Sequence, residues 1–266
     1  MITGRATVYA IIGDPVAHVR TPMVFNARFE AGGHDAVLVP LLVPLATLAR
    51  TLDGLRTLGN FGGCVVTAPL KGPCASLCDV LEGNGRLAGA VNALRREPDG
   101  RLVGDLFDGL GFVAGLRAHG HEPHGRRVFI AGAGGAGTAL AFALAGAGAA
   151  ALTIHNRTAD KAGSLAERVH AAFPACEVRA AGPDPGGHDI AVNATALGLQ
   201  PDDPMPFDVA SLEPATLAAE VIMKPETTAM LHAAAARGCR IHQGRHMLDG
   251  QAALLAGFLA MPGAPA

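Results

Sequence analysis

Residues 128–144 read VFIAGAGGAGTALAFAL. A short apolar run, a cluster of glycines and a second, longer apolar run predict a strand, a tight loop and a buried helix. Within the cluster, Gly132, Gly134 and Gly137 stand in G-x-G-x-x-G spacing. In that arrangement the first glycine permits the turn, the second lets a pyrophosphate approach the backbone, and the third lets helix and strand pack closely. The free N–H groups and dipole of the helix N-terminus then favour a negative charge. In a chain with 35 glycines the spacing alone is a weak signal; its place between strand and helix gives it weight. Gly132, Ala133, Gly134, Gly135, Ala136 and Gly137 are therefore expected to bind a dinucleotide.

The next strand bears on which dinucleotide. An NAD site usually carries Asp or Glu about 20 residues further on, accepting from the ribose 2′-OH. Here that strand ends in His155–Asn156–Arg157–Thr158, with no carboxylate at its tip. The Arg157 guanidinium can pair bidentately with a 2′-phosphate and stack on adenine, with Asn156, Thr158 and Lys161 beside it. NADP is the expected cofactor. The competing reading makes Thr158 a helix cap and Arg157 a solvated side chain.

Outward from this unit, the chain keeps the alternation of an α/β protein. Toward the N-terminus, VYAIIG (8–13), AVLVPLLV (36–43) and GGCVVT (62–67) read as strands, with helices over 22–31 and 45–58. That order argues for right-handed crossovers and a mainly parallel sheet. GAVNALRREPDGRLVGD (89–105) reads as two strands about a PDG turn, and 108–119 as a helix linking to a second domain. Beyond the glycine loop, DIAVNAT (189–195) and LAAEVIM (217–223) extend the second sheet. Helices follow over 227–237 and, after the turn HQGRH, over 247–259.

Bulk properties exclude several classes. A chain of 266 residues with half of them hydrophobic, 17% charged and a net charge of −2 has no electrostatic footprint for nucleic acid or an anionic membrane. The run 139–154 is too rich in Ala and Gly for a spanning helix, and the N-terminus lacks the apolar segment of a signal peptide. Cys64, Cys74, Cys78, Cys176 and Cys239 are scattered, with no Cys/His cluster at zinc-ligand spacing. A cytoplasmic protein with reduced thiols and no metal is expected, monomeric or homodimeric, acting on a small molecule.

Several motifs occur together in one order: VVTAPLK (65–71), GAVNA (89–93), GDLFDGLGF (104–112), the glycine loop, NRT (156–158), NATALG (193–198) and GRHMLDGQ (244–251). In this combination, spanning nearly the whole chain, the sequence resembles the shikimate dehydrogenases. The resemblance implies a substrate domain over 1–108 plus 245–266 and a Rossmann-type NADP-binding domain over 109–244, with the C-terminal helix packing back on the first. It places Lys71 as the catalytic lysine and Asp108 as its partner. Thr67, Asn92 and Gln251 match polar contacts to ring hydroxyls, and Thr195, Leu197, Val221 and Gly244 fall where the family lines the nicotinamide side. The implied reaction interconverts a ring hydroxyl and a ketone. A lysine in a desolvated cleft can cycle between ammonium and amine, and a carboxylate can orient it. Asp108 can equally be read as the cap of the following helix.

The departures cluster on the substrate side. Where the family carries two serines, this chain has His18–Val19–Arg20–Thr21–Pro22; other positions that are polar in the family are here the apolar Val65, Leu106, Phe107 and Met223. A substrate hydroxyl or carboxylate buried without a partner costs about 1–3 kcal/mol. Thr21 keeps a hydroxyl, and Arg20 either holds the substrate carboxylate or points to solvent; His18 is expected to hydrogen-bond within the turn. The substrate is thus shikimate or a related cyclic hydroxy acid. A non-catalytic NADP(H)-binding sensor is the alternative, though a sensor has no need of a lysine–aspartate pair. A folate-type methylene dehydrogenase shares the layout, but GAVNA and MLDGQ argue against it.

Overall fold

Two sheets carry the chain, one behind each half of the sequence pattern. The computed structural model describes residues 2–17 and 19–264, so the expected role of His18 lies outside the described residues. The chain divides into two compact units, Met1–Phe107 with Ala252–Ala266, and Asp108–Gln251.

In the first unit, β1 (Thr7–Gly13) lies parallel between β2 (Ala36–Leu42) and β3 (Phe61–Val66). The sheet continues through β5 (Ala93–Arg96) and β6 (Leu102–Asp105), both antiparallel to their preceding neighbour, and ends at β4 (Val80–Leu81), parallel to β6. The PDG turn forces the antiparallel pair, since a short connection cannot return a strand in the parallel sense. Helix α1 (Thr21–Ala31) opens on Pro22 and is fixed to β2 by Asn26. Its Nδ2 donates to Leu38 O at 2.9 Å, and its Oδ1 accepts from Leu38 N–H at 2.8 Å. Leu48 and Leu52 of α2 (Leu48–Arg56) join Ile12, Phe61 and Val66 in the core.

The expected helix over 45–58 begins late. Leu45–Thr47 is a 3-10 turn, closed by Thr47 N–H on the Pro44 carbonyl at 2.9 Å. Three further elements had no expectation: α3 (Lys71–Ala75), β4 and α4 (Gly83–Ala88). They are too short for a periodic pattern to declare itself.

The second unit holds a wholly parallel sheet of six strands. Its centre is β7 (Arg127–Ala131), flanked by β8 (Ala151–His155) and then β9 (Glu177–Ala180) on one side. On the other lie β10 (Ile190–Asn193), β11 (Leu217–Glu220) and β12 (Arg240–His242). Strand order therefore reverses between β7 and β10, the switch point where open α/β sheets bind ligands. α6 (Gly135–Gly146) is buried along most of its length and leads into β8. That accounts for the apolar run 139–154, and no helix among the described residues is long and apolar enough to cross a membrane.

Helix α7 (Ala159–Ala172) starts directly after Thr158, while strands β9 and β12 lie outside the expected elements; β12 occupies part of what reads as a turn. The unit is completed by α5 (Asp108–Ala118), α8 (Ala229–Ala236) and the first part of α9 (Arg245–Phe258). From Ala252 onward α9 belongs to the first unit, where the Phe258 ring lies 5.1 Å from Phe107 and under the Arg95 guanidinium at 4.6 Å.

Candidate active site

The glycine loop joins β7 to α6 at the switch point. Gly132 has φ +112°, and a Cβ there would stand 2.9 Å from Ala194 O. At Gly137 a Cβ would lie 1.8 Å from Gly132 O, so no side chain fits. Gly134 and Gly135 differ: a Cβ at either would meet nothing within 4 Å. The loop is thus closed on its inner side and open on its outer side. No side chain caps α6, whose N-cap is Gly134. An open backbone cradle at an uncapped helix N-terminus fits a pyrophosphate.

At the tip of β8, Asn156 ties this loop to the next. Its Oδ1 accepts from Ala133 N–H at 3.1 Å, and its Nδ2 donates to Thr158 O at 2.9 Å. The Thr158 side chain does not cap α7, which removes the capping reading. Arg157, Thr158 and Lys161 are exposed, and neither basic residue forms an ion pair among the described residues.

The NATALG loop is built by its own polar groups. Asn193 Oδ1 accepts from Thr195 N–H at 3.0 Å and from the Thr195 hydroxyl at 2.7 Å, while Nδ2 donates to Leu197 O at 2.8 Å. The Thr195 hydroxyl in turn accepts from Leu197 N–H at 3.0 Å. Thr195 therefore shapes the loop beside Gly132 with a hydroxyl already engaged. Val221 continues from β11, and a Cβ at Gly244 would meet Ile222 O at 2.3 Å, so these two segments touch backbone to backbone. Beside Val221, Glu220 is fully buried; its Oε2 accepts from the Thr228 hydroxyl at 2.6 Å and its Oε1 has no partner among the described residues. Burial pushes this carboxyl up to about 7.

In the first unit, Lys71 is half-buried at the start of α3, and its carbonyl accepts from Val91 N–H at 3.0 Å. Thr67 closes the turn before it, accepting from Leu70 N–H at 3.0 Å. Asn92 is buried, and its Oδ1 accepts from Phe107 N–H at 2.8 Å. Asp105, which stands in GDLFDGLGF with no expected role, accepts from Gly85 and Leu106 N–H at 2.7 Å each; burial raises its carboxyl. Arg20 is exposed without an ion pair among the described residues, and Thr21 is half-buried. Of the apolar departures, Val65, Leu106 and Phe107 are buried, Val19 is half-buried and Met223 is exposed.

In the second unit, Asp108 is the first residue of α5 and buried; its Oδ1 accepts from Gln251 Nε2 at 2.7 Å. Glycines make the approach possible. A Cβ at Gly111 would stand 2.7 Å from Met247 O, and one at Gly115 2.6 Å from His246 O. The spacing of glycines in DGLGFVAGL is the sequence signal for this helix contact, and it goes unread when glycine is taken only as turn punctuation.

The shikimate dehydrogenase substrate binding domain model matches residues 11–94, and the shikimate / quinate 5-dehydrogenase model matches 117–197. A relative from Rubrobacter xylanophilus, named shikimate dehydrogenase (NADP(+)), is 41% identical over 254 residues, 93% of this chain and 88% of that one. Among solved structures, the 5-ketofructose reductase of a Gluconobacter species has a TM-score of 0.88 at 33% identity, covering 97% of this chain and 94% of that one. Shikimate 5-dehydrogenase of Thermus thermophilus, solved with NADP(H) and shikimate, has 0.87 at 30%, covering 98% and 95%. A doubly wound parallel sheet with its glycine loop at the switch point, joined to a second α/β unit, defines an oxidoreductase of the two-unit α/β class. Within that class, the chain belongs to the shikimate dehydrogenase family.

Proposed function

We propose that the chain is an NADP(H)-dependent oxidoreductase interconverting a ring hydroxyl and a ketone, on shikimate and 3-dehydroshikimate or a related cyclic hydroxy acid. The observation that carries this is the Asp108–Gln251 hydrogen bond of 2.7 Å, which joins the aspartate and the glutamine expected at the substrate side. The names of the relatives support the cofactor and the substrate class. That one neighbour is named a 5-ketofructose reductase supports leaving the ring open to variation.

Bound NADP(H) supplies the hydride acceptor or donor. The open faces of Gly134 and Gly135 and the α6 N-terminus hold its pyrophosphate, and Arg157 pairs with its 2′-phosphate, flanked by Thr158 and Lys161. Thr195, Leu197, Val221 and Gly244 line the nicotinamide side. Lys71 removes the hydroxyl proton during oxidation and returns it during reduction, with Asp108 as its partner. Asn92, Thr67 and Gln251 contact ring hydroxyls, while Arg20 and Thr21 take the carboxylate, which a guanidinium pairs more strongly than a hydroxyl does.

Following NADP⁺ reduction with shikimate, quinate and a panel of cyclic hydroxy acids tests the reaction. Tight NADPH binding without turnover of any of them would replace the enzyme with a sensor. Lys71→Ala is expected to lower turnover by roughly 10²–10⁴ with NADPH affinity unchanged. Near-normal turnover in that variant would remove Lys71 from the mechanism.

A further inference from the structure

We propose that His119, His242 and His246 form a binding site for a divalent transition-metal ion of the zinc class. No metal is expected from the sequence, which has no Cys/His cluster at zinc-ligand spacing; His242 and His246 stand as an H-x3-H pair, and the fold of the second unit brings His119 to them. His119 follows the end of α5, His242 ends β12, and His246 lies in the first turn of α9. One ring nitrogen from each lies within 4.8 Å of the other two.

Two further observations point to a ligand. The Nε2 of His242 is buried and has no hydrogen-bond partner among the described residues, which a native interior rarely tolerates. On His119, Nδ1 lies 2.8 Å from the Gly115 carbonyl. A carbonyl only accepts, so Nδ1 carries a hydrogen and is the donor, which leaves Nε2 as the nitrogen that can face an ion. Such a backbone bond to the far nitrogen is how proteins orient a metal-binding imidazole.

The cluster is poorly suited to holding charge any other way. The ring centroids of His119 and His246 are 3.7 Å apart, those of His242 and His246 4.7 Å, and those of His119 and His242 5.4 Å. A cation shared by neutral rings avoids the repulsion that separate protons would bring. Three imidazoles and no thiolate suit zinc, copper or nickel rather than magnesium or calcium, and leave one coordination position for water. His119 is exposed and His246 half-buried, which gives the ion a path from solvent.

The site would also fasten a specific contact. α5 carries Asp108 at one end and leads into His119 at the other; α9 carries His246 a little over one turn before Gln251. An ion would therefore clamp the same two helices that place the Asp108–Gln251 pair. The binding site itself does not depend on the proposed reaction.

The test uses the full chain, stripped with a chelator and dialysed. Titration with Zn²⁺ is expected to show one tight equivalent and a rise in Tm, and Co²⁺ the visible absorption of a tetrahedral site. His246→Gln and, separately, the exposed His119→Gln should each weaken Zn²⁺ binding by roughly tenfold or more, since even loss of an outer partner costs that much. His119→Gln keeps the test decisive if a change at the more buried His246 harms folding. No bound equivalent at micromolar Zn²⁺, or binding unchanged in both variants, would overturn the proposal.

Discussion

A carboxyl that cannot reach water reports on pH. Glu220 is fully buried, with the Thr228 hydroxyl donating to one of its oxygens, and burial raises it to about 7 from the ordinary 4.5. Below pH 4.5 it is protonated whether the chain is folded or not. Between about 4.5 and 7 the folded chain keeps a proton that the unfolded chain has released, so this group makes stability fall as pH rises, levelling off above 7. Glu220→Gln, neutral throughout, should flatten the Tm profile between about pH 5 and 8 and be the more stable form at the upper end. An unaltered profile would show that the carboxyl is not held neutral. Little of this is legible in the sequence: Glu220 sits in LAAEVIM as one acid in an apolar run, and only the parallel sheet on both sides makes it interior. The start of α5 at Asp108, by contrast, is legible, because the helix over 108–119 follows from a pattern local in sequence.

At the level of elements, the glycine loop makes two opposite demands, and substitution separates them. Gly137→Ala places a methyl 1.8 Å from Gly132 O, which the packed β7–α6 connection cannot absorb, so Tm should fall by several degrees. Gly134→Ala meets nothing within 4 Å, so Tm should hold while NADPH affinity falls, because the methyl occupies the cradle. Thermal melts beside NADPH titrations distinguish the two, and equal losses of Tm would sink the distinction. Strands β7, β8 and β10 and helix α6 are legible because apolar runs bounded by glycine or polar turns leave little choice. Helix α7 carries a signal too: buried Ala162, Leu165, Ala166 and Val169 recur at helical spacing, though the louder loop before them draws the eye. α3 and α4, at five and six residues, are set by their surroundings rather than by periodicity.

For the molecule as a whole, cofactor choice becomes a stability measurement. A ligand bound only by the folded chain stabilises it by about 2.7 kcal/mol at a hundredfold excess over its Kd. NADPH should therefore raise Tm well below the concentration at which NADH does, and Arg157→Ala should erase that difference. Equal shifts with both nucleotides in the parent chain would overturn the assignment of Arg157. The all-parallel sheet of the second unit follows from its strand–helix alternation. The mixed sheet of the first is only partly legible, since β4 pairs with β6 through two residues that carry no pattern of their own. The glycines of α5 also limit what mutation can leave standing. At Gly109, Gly111 and Gly115 an added methyl would meet backbone oxygens at 2.0, 2.7 and 2.6 Å, and every single-nucleotide change of a glycine codon that alters the residue adds at least that methyl or ends the chain. A library of random variants selected for activity should therefore be depleted at these three positions of α5, though none of them has a side chain to do chemistry.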